Sequence, residues 1–197
     1  MSRARTEMIE ETRARLIASA REAFATQGYA NTSMDDFTAR AGLTRGALYH
    51  HFGDKKGVLA AVVAQLDSEM DARLQHITEQ AQDPWRGFCD RCQAYLRMAQ
   101  EGEIQRIVLQ DAPAVLGDTG SQHHCVESLR QLLEALMQTG AILQAPSVAL
   151  AQLINGSLVN TALWIARDEH PGERLEEGLL GLELLLQGLR QPIRLTV

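Results

Sequence analysis

The stretch Thr44-Arg45-Gly46-Ala47-Leu48-Tyr49-His50-His51-Phe52 carries residue types that could do chemistry on a molecule outside the chain. Thr44 can cap a helix start, Leu48 can point inward, and Phe52, beyond the last turn, gives a second anchor. Arg45, Tyr49, His50 and His51 are cationic or hydrogen-bonding, and Gly46 leaves bare backbone between them. Such groups on a short helix suit a polyanion with readable edges, as in the grooves of double-stranded DNA. On this reading Thr44, Tyr49, His51 and Lys55 bind phosphate oxygens, together with Thr32 and Ser33 at the start of the preceding helix. Arg45 and the Gly46 backbone face base edges, Ala47 belongs to the same surface, and His50 suits either task. A bidentate contact from Arg45 to guanine would discriminate by roughly five- to a hundredfold.

A second constellation is Cys89-Asp90-Arg91-Cys92 with His123-His124-Cys125 further on. On a helix, positions i and i+3 share a face, so Cys89 and Cys92 could reach one metal ion that Cys125 or a nearby histidine completes, or could form a thiol sensor. The competing reading is structural. Cysteine is among the most buried residues, and these two lie beside Trp85, Phe88 and Tyr95. Trp85, Phe88, Cys89, Cys92, Tyr95, Met137, Asn160 and Trp164 could line an apolar cavity with a few polar anchors, as small-molecule sites do, or could be packed core. Asp111, before Pro113, suits a hinge, a polar pocket group or a surface cap. There is no glycine-rich phosphate loop and no nucleophile-elbow pattern, and the histidines lack a regular metalloenzyme spacing. Neither an enzyme nor a cofactor is expected, and a small helical ligand-carrier or enzyme stands as the alternative from another class.

The elements that must position these groups are all helical. A helical pattern runs from about Thr6 to Gln27, with Leu16, Ala20, Ala23 and Phe24 on one face, and Gly28 stops it. Ser33-Met34-Asp35-Asp36 has the capping-box pattern that opens a short helix, and Gly42 sits where its C-cap is wanted. Helix, glycine-containing turn and a second helix from Thr44 make a helix-turn-helix. Asp54 caps a long helix with the stripe Leu59, Val62, Leu66, Met70, Leu74, Ile77 and Ala81, roughly 40 Å at ~1.5 Å per residue, which could join head to body as a lever. Asp83-Pro84 opens the next helix, to about Gly102. Ile104, Ile107 and Val108 mark a shorter helix ended by Pro113, and residues 112 to 121 are expected to be a loop. A further helix carries Val126, Leu129, Leu133 and Leu136 to Gly140.

The last two helices, from Pro146-Ser147 to Arg167 and from His170-Pro171 to about Arg190, are apolar over more than one face. Helices buried on two sides at a chain terminus suggest a second subunit. Leu153, Leu158, Trp164, Leu179, Leu182 and Leu186 are the expected dimer contacts. The domain division expected is 1–53 for the head and 54–197 for the body.

Apolar residues make up 45% and charged residues 22%, as in ordinary globular proteins. The net charge of −6 divides unevenly. Residues 1–56 hold nine Lys/Arg against seven Asp/Glu (+2), while 57–197 hold ten against eighteen (−8). A basic head on an acidic body keeps the phosphate-attracting field local. No uninterrupted apolar run approaches the ~20 residues of a membrane span, and the N-terminus lacks the apolar core of a signal peptide, so no membrane partner and a cytoplasmic location are expected. Three cysteines, an odd number, do not make a disulfide framework.

These residues carry a resemblance. Phe24-Ala-Thr-Gln-Gly28-Tyr29, Thr32-Ser-Met-Asp-Asp-Phe37, Ala41-Gly-Leu-Thr-Arg-Gly-Ala-Leu-Tyr-His-His-Phe52 and Lys55-Lys-Gly-Val-Leu59 together resemble the TetR family of bacterial transcriptional regulators. Departures are mild: Phe37-Thr38 stands where the family more often has Ile-Ala, Thr44 where Ser is common, and Gly57 where Glu is common. The resemblance covers about residues 8–60. It implies an all-α homodimer of about nine helices per chain, with a three-helix DNA-binding head, a helical body holding a ligand pocket, and dimerisation through the last two helices. A repressor released from a near-palindromic DNA operator by a small-molecule effector follows from it.

Overall fold

The structure is a computed structural model, described over residues 3–117 and 121–190 for the backbone. Among the described residues it holds nine α-helices, one π-helix and no strand. The helices are α1 (Arg3–Gln27), α2 (Met34–Arg40), α3 (Arg45–Phe52), α4 (Lys55–Gln80), α5 (Pro84–Met98), the π-helix Ile104–Asp111, α6 (Ala112–Leu116), α7 (Ser121–Gln138), α8 (Ser147–Arg167) and α9 (Pro171–Gln187).

Contacts divide the chain into two units, Met1–Ser68 with Gly102–Thr119, and Glu69–Glu101 with Gly120–Val197. The division therefore falls within α4 rather than at residue 53, and the head unit takes in the π-helix and α6, which the expected division assigned to the body.

In the first unit, α1, α2 and α3 close on a core of Leu16, Ala20, Phe24, Phe37, Leu48, Leu59 and Val62, all fully buried, which Ile107 and Ala112 complete. The expected punctuation holds. Ser33 caps α2 in a full capping box with Asp36, and Gly28 and Gly42 take the left-handed φ of +78° and +63° that ends α1 and follows α2. Hydrogen bonds from Arg15 Nη2 to the Ala41 carbonyl (2.5 Å) and from Ser19 Oγ to the Phe37 carbonyl (2.8 Å) tie α1 to the end of α2.

Residues 104–116 depart from expectation. Pro113 does not end a helix. The backbone widens to i→i+5 bonding over Ile104–Asp111, with Ala112 N donating to the Ile107 carbonyl, and runs straight into α6. Pro113 then stands in the first turn of α6, where its missing N–H and fixed φ are tolerated, so residues 112–116 are helix and not loop. Asp118 and Gly120 of the expected loop lie outside the described residues. Arg21 grips Glu103 with two bonds, at 2.5 and 2.7 Å, and fastens the start of this segment to α1.

In the second unit α5, α7, α8 and α9 pack together around Phe88, Cys92, Leu96, Leu133, Ile154, Leu158, Ile165 and Leu186, each at most 5% exposed. Asp83 caps α5 through Trp85 N (2.7 Å) and Arg86 N (3.1 Å), with Pro84 in the first turn as expected. The core of this unit also holds charge. Arg91 is buried, bonded to Asp71 (3.0 Å) and Ser128 (3.1 Å), an arrangement that keeps a buried guanidinium from being left unpaired. Ser147–Arg167 is long and apolar enough, by length and mean composition alone, to cross a membrane, a test that core helices of globular proteins also pass, and its apolar residues do not form an uninterrupted run. It also carries Asn155, buried, and Asn160, exposed.

Candidate nucleic-acid interface

Helix α3 is short, and three features fix it. Thr44, in extended conformation, accepts a hydrogen bond from Ala47 N at 3.3 Å, Leu48 is fully buried, and Gly53 at φ +78° terminates the helix. Phe52 is the last residue of α3 rather than beyond it. It is half-buried against the head core, with the Arg13 guanidinium 5.3 Å from its ring centroid. With the inner side so anchored, Thr44, Arg45, Gly46, Tyr49 and His50 are exposed together, Tyr49 at 50%, while Ala47 and His51 are half-buried at the margin.

Arg45 does not hang free in solvent. Its Nε donates to Oδ1 of Asp35 and its Nη2 to Oδ2, a forked pair in which both side chains stay more than half exposed. Within the capping-box stretch of the sequence, nothing ties Asp35, an acid in the first turn of α2, to the first residue of α3.

Two of the expected phosphate ligands are placed differently from the rest. Thr32 is buried at 3% exposure, and its hydroxyl donates to the Gly28 carbonyl at 2.8 Å, so its side chain closes the α1–α2 turn instead of facing outward. Ser33 beside it is exposed at the α2 N-terminus. The Lys55 amine donates to the Tyr29 carbonyl and sits 4.2 Å from the centroid of that ring. Burial lowers the Lys55 pKa, with the Asp111 carboxylate working the other way.

Asp111 belongs to the head unit and not to a pocket in the body. Its carboxylate accepts from Tyr29 N at 2.8 Å and lies 3.6 Å from Arg106 Nε. Of the other expected pocket residues, Phe88, Cys92 and Met137 are buried in the second unit, Tyr95 and Cys89 are half-buried, and Trp85 is 6% exposed. Trp85 and Cys89 border an open groove of about 400 Å³ with Asp83, Arg86, Glu183 and Arg190. Asn160 and Trp164 are exposed on α8 and so lie apart from that wall, Trp164 at 45% with Arg174 stacked 5.4 Å from its ring centroid.

The expected dimer residues divide by phase. Leu158, Leu182 and Leu186 are buried inside their own unit, Leu179 is half-buried, and Leu153 and Trp164 are exposed. The outward leucines are instead Leu180 (62%), Leu184 (69%) and Leu185 (47%), which join Leu153 (69%) as exposed apolar groups on α8 and α9. So many large apolar side chains on two adjacent helices form a surface suited to association.

The cysteines do not form a site among the described residues. Burial pushes the Cys89 thiol up to about 11 and the Cys92 thiol up to about 12, which favours the protonated thiol at neutral pH. No group of three His, Cys, Asp or Glu side chains close enough to hold a metal is found among the described residues. The side chains of His123 and His124 lie outside them.

A capped helix anchored by one leucine, offering arginine, tyrosine, histidine and bare backbone after a tight turn, defines a helix-turn-helix DNA-binding protein with a helical body. Residues 85–189 match the family model described as "Tetracyclin repressor-like, C-terminal domain", and residues 16–62 match that of "Bacterial regulatory proteins, tetR family". The crystal structure of a TetR-family transcriptional regulator from Pectobacterium atrosepticum is 59% identical in sequence, with a TM-score of 0.88 over 96% of this chain and 97% of that one. The transposon Tn10 TetC protein of Escherichia coli is 26% identical over 161 residues, 80% of this chain and 81% of TetC. The HTH-type transcriptional regulator SrpR of Pseudomonas putida is 45% identical over 64 residues, which span 32% of this chain and only 30% of SrpR. The chain belongs to the TetR family of transcriptional regulators. Members of this family bind DNA through the helix-turn-helix, act as dimers and bind small-molecule ligands, and the chain is a regulator and not an enzyme.

Proposed function

We propose that the chain is a cytoplasmic, homodimeric repressor that leaves a near-palindromic operator when a small molecule binds its body. The observation that carries this reading is the exposed face of α3, where Arg45, Gly46, Tyr49 and His50 stand together on a helix locked by Thr44 and Leu48. Arg45 and the Gly46 backbone read base edges, and Thr44, Tyr49, His51 and Ser33 hold phosphate oxygens. Lys55 adds positive charge from its seat on Tyr29. Two copies associate through Leu153, Trp164, Leu180, Leu184 and Leu185, which sets the two recognition helices one or two turns of DNA apart. The effector binds in the second unit, against the wall that Trp85, Cys89 and Tyr95 share with the buried Phe88 and Cys92. To act as an inducer it must favour the non-binding state, typically by a coupling of about 1–3 kcal/mol.

Footprinting of the DNA upstream of the chain's own gene and its neighbours, repeated with candidate ligands, tests this reading. A protected inverted repeat that disappears on addition of one ligand is expected. Protection without two-fold symmetry, or protection that no ligand relieves, counts against it.

A further inference from the structure

From the Asp35–Arg45 fork we infer that Asp35 is a specificity-determining positioning residue: it holds the Arg45 guanidinium so that the opposite edge is aimed at one guanine in each half-site. The inference rests on the proposed DNA-binding role of α3. A planar guanidinium has two forks, one formed by Nε–H and one Nη–H, the other by the two terminal nitrogens. Asp35 takes the first through Nε and Nη2. The second, Nη1 with the remaining proton of Nη2, is the edge that matches the O6 and N7 acceptors of guanine. One carboxylate thus fixes the plane and direction of the side chain without consuming the reading edge.

The placement follows from the two helix starts. Arg45 is the first residue of α3, where the positive end of the helix dipole disfavours a cation, and Asp35 lies in the first turn of α2, where the same field favours an anion. The pair relieves the first without disturbing the second. Both side chains are more than half exposed, at 54% and 64%, so the fork contributes little to folding. What it supplies is orientation: an unbuttressed arginine samples many rotamers and must be ordered on binding, and it can accept a phosphate or a different base instead. Asp35 also sets a penalty. A carboxylate at the DNA face repels phosphate, so an Arg45 that turns away to a phosphate leaves an unneutralised anion against the backbone.

The test is selection of bound duplexes from a randomised DNA library with the full-length chain and with its Asp35→Ala, Asp35→Asn and Arg45→Ala variants, each first shown to unfold at the wild-type temperature. The wild type is expected to enrich an inverted repeat with one guanine per half-site that Arg45→Ala no longer selects. Asp35→Ala should still enrich the repeat, with the preference for that guanine reduced roughly three- to tenfold and the other positions unchanged. Asp35→Asn, which keeps the shape and one acceptor, should fall between. A merely structural role would weaken all positions alike. If the wild type enriches a motif and Asp35→Ala selects it with undiminished preference at the Arg45 position, the positioning role is wrong while DNA binding stands. If the wild type enriches nothing, the DNA-binding reading fails and takes this inference with it.

Discussion

The Asp111 carboxylate, at the end of the π-helix, accepts the backbone N–H of Tyr29 in the turn between α1 and α2 at 2.8 Å. A chain segment distant in sequence is thereby built into the helix-turn-helix unit. Asp111→Ala leaves a half-buried amide without its acceptor and removes the carboxylate beside Arg106. It should cost about 1–3 kcal/mol in chemical denaturation. Asp111→Asn, which retains an accepting oxygen, should cost less. Equal stability of the alanine variant and the wild type would show that the contact contributes nothing.

At Gly57, where the resemblance to the TetR family implies glutamate, the backbone makes a close approach. A Cβ at this position would approach the Phe52 carbonyl oxygen to 2.0 Å, so α4 begins closer to the end of α3 than any other residue permits. Gly57→Ala should destabilise the head by about 1–3 kcal/mol through overpacking, although alanine is the better helix former. A thermal melt decides the sign, and a stabilised variant would mean that the two helices separate without cost.

Much of the head was legible because its signals are local. Ser33 with Asp36, Thr44, and the glycines at 28 and 42 each act within a turn of their own position, as Asp83 with Pro84 does in the second unit, and the structure places each of them as capping chemistry dictates. The illegible parts depend on neighbours distant in sequence. Helix α9 has leucine at so many positions that periodicity gives no phase, so Leu182 and Leu186 could not be told apart from the outward Leu180 and Leu184. A π-turn leaves no period of its own in the sequence, and Pro113 signals a break equally well whether it ends a helix or starts the next. The buried polar groups Arg91 and Asn155, like the Asp35–Arg45 fork, exist only once helices are assembled.

Leu184 and Leu182, two residues apart on α9, make opposite predictions. Leu184 is 69% exposed, so Leu184→Glu should leave the protomer folded, as circular dichroism would report, while sedimentation velocity shows a monomer. DNA affinity should then fall by roughly a hundredfold or more, because two linked heads bind far more tightly than one. Leu182 is 7% exposed, and Leu182→Glu should unfold the body instead. A Leu184→Glu protein that sediments as a dimer would place the subunit contact elsewhere.

Cys89 and Cys92 should behave as core residues. With the thiols held up to about 11 and about 12 by burial, iodoacetamide should label both far more slowly at pH 8 than it labels free cysteine, by roughly a hundredfold for Cys89. The sign of the linked stability follows from the raised values. Below pH ~9 neither folded nor unfolded thiols ionise, and above it the unfolded chain loses protons first, so their contribution to stability is lost as pH rises from about 9 through about 11 to 12. Peptide mapping after labelling checks the rates, and fast modification of Cys89 near neutral pH would restore a thiol-sensing role.

The central claim is that α3 reads DNA sequence, and the most direct measurement is a titration of a footprinted duplex and a scrambled duplex of the same composition with the wild type and with Arg45→Ala. The wild type should prefer the footprinted duplex by about a thousandfold or more at physiological salt. Arg45→Ala should lose affinity for that duplex by roughly five- to a hundredfold while its affinity for the scrambled duplex changes much less. Equal binding of the wild type to both duplexes, or the same loss on both in the variant, would contradict the assignment.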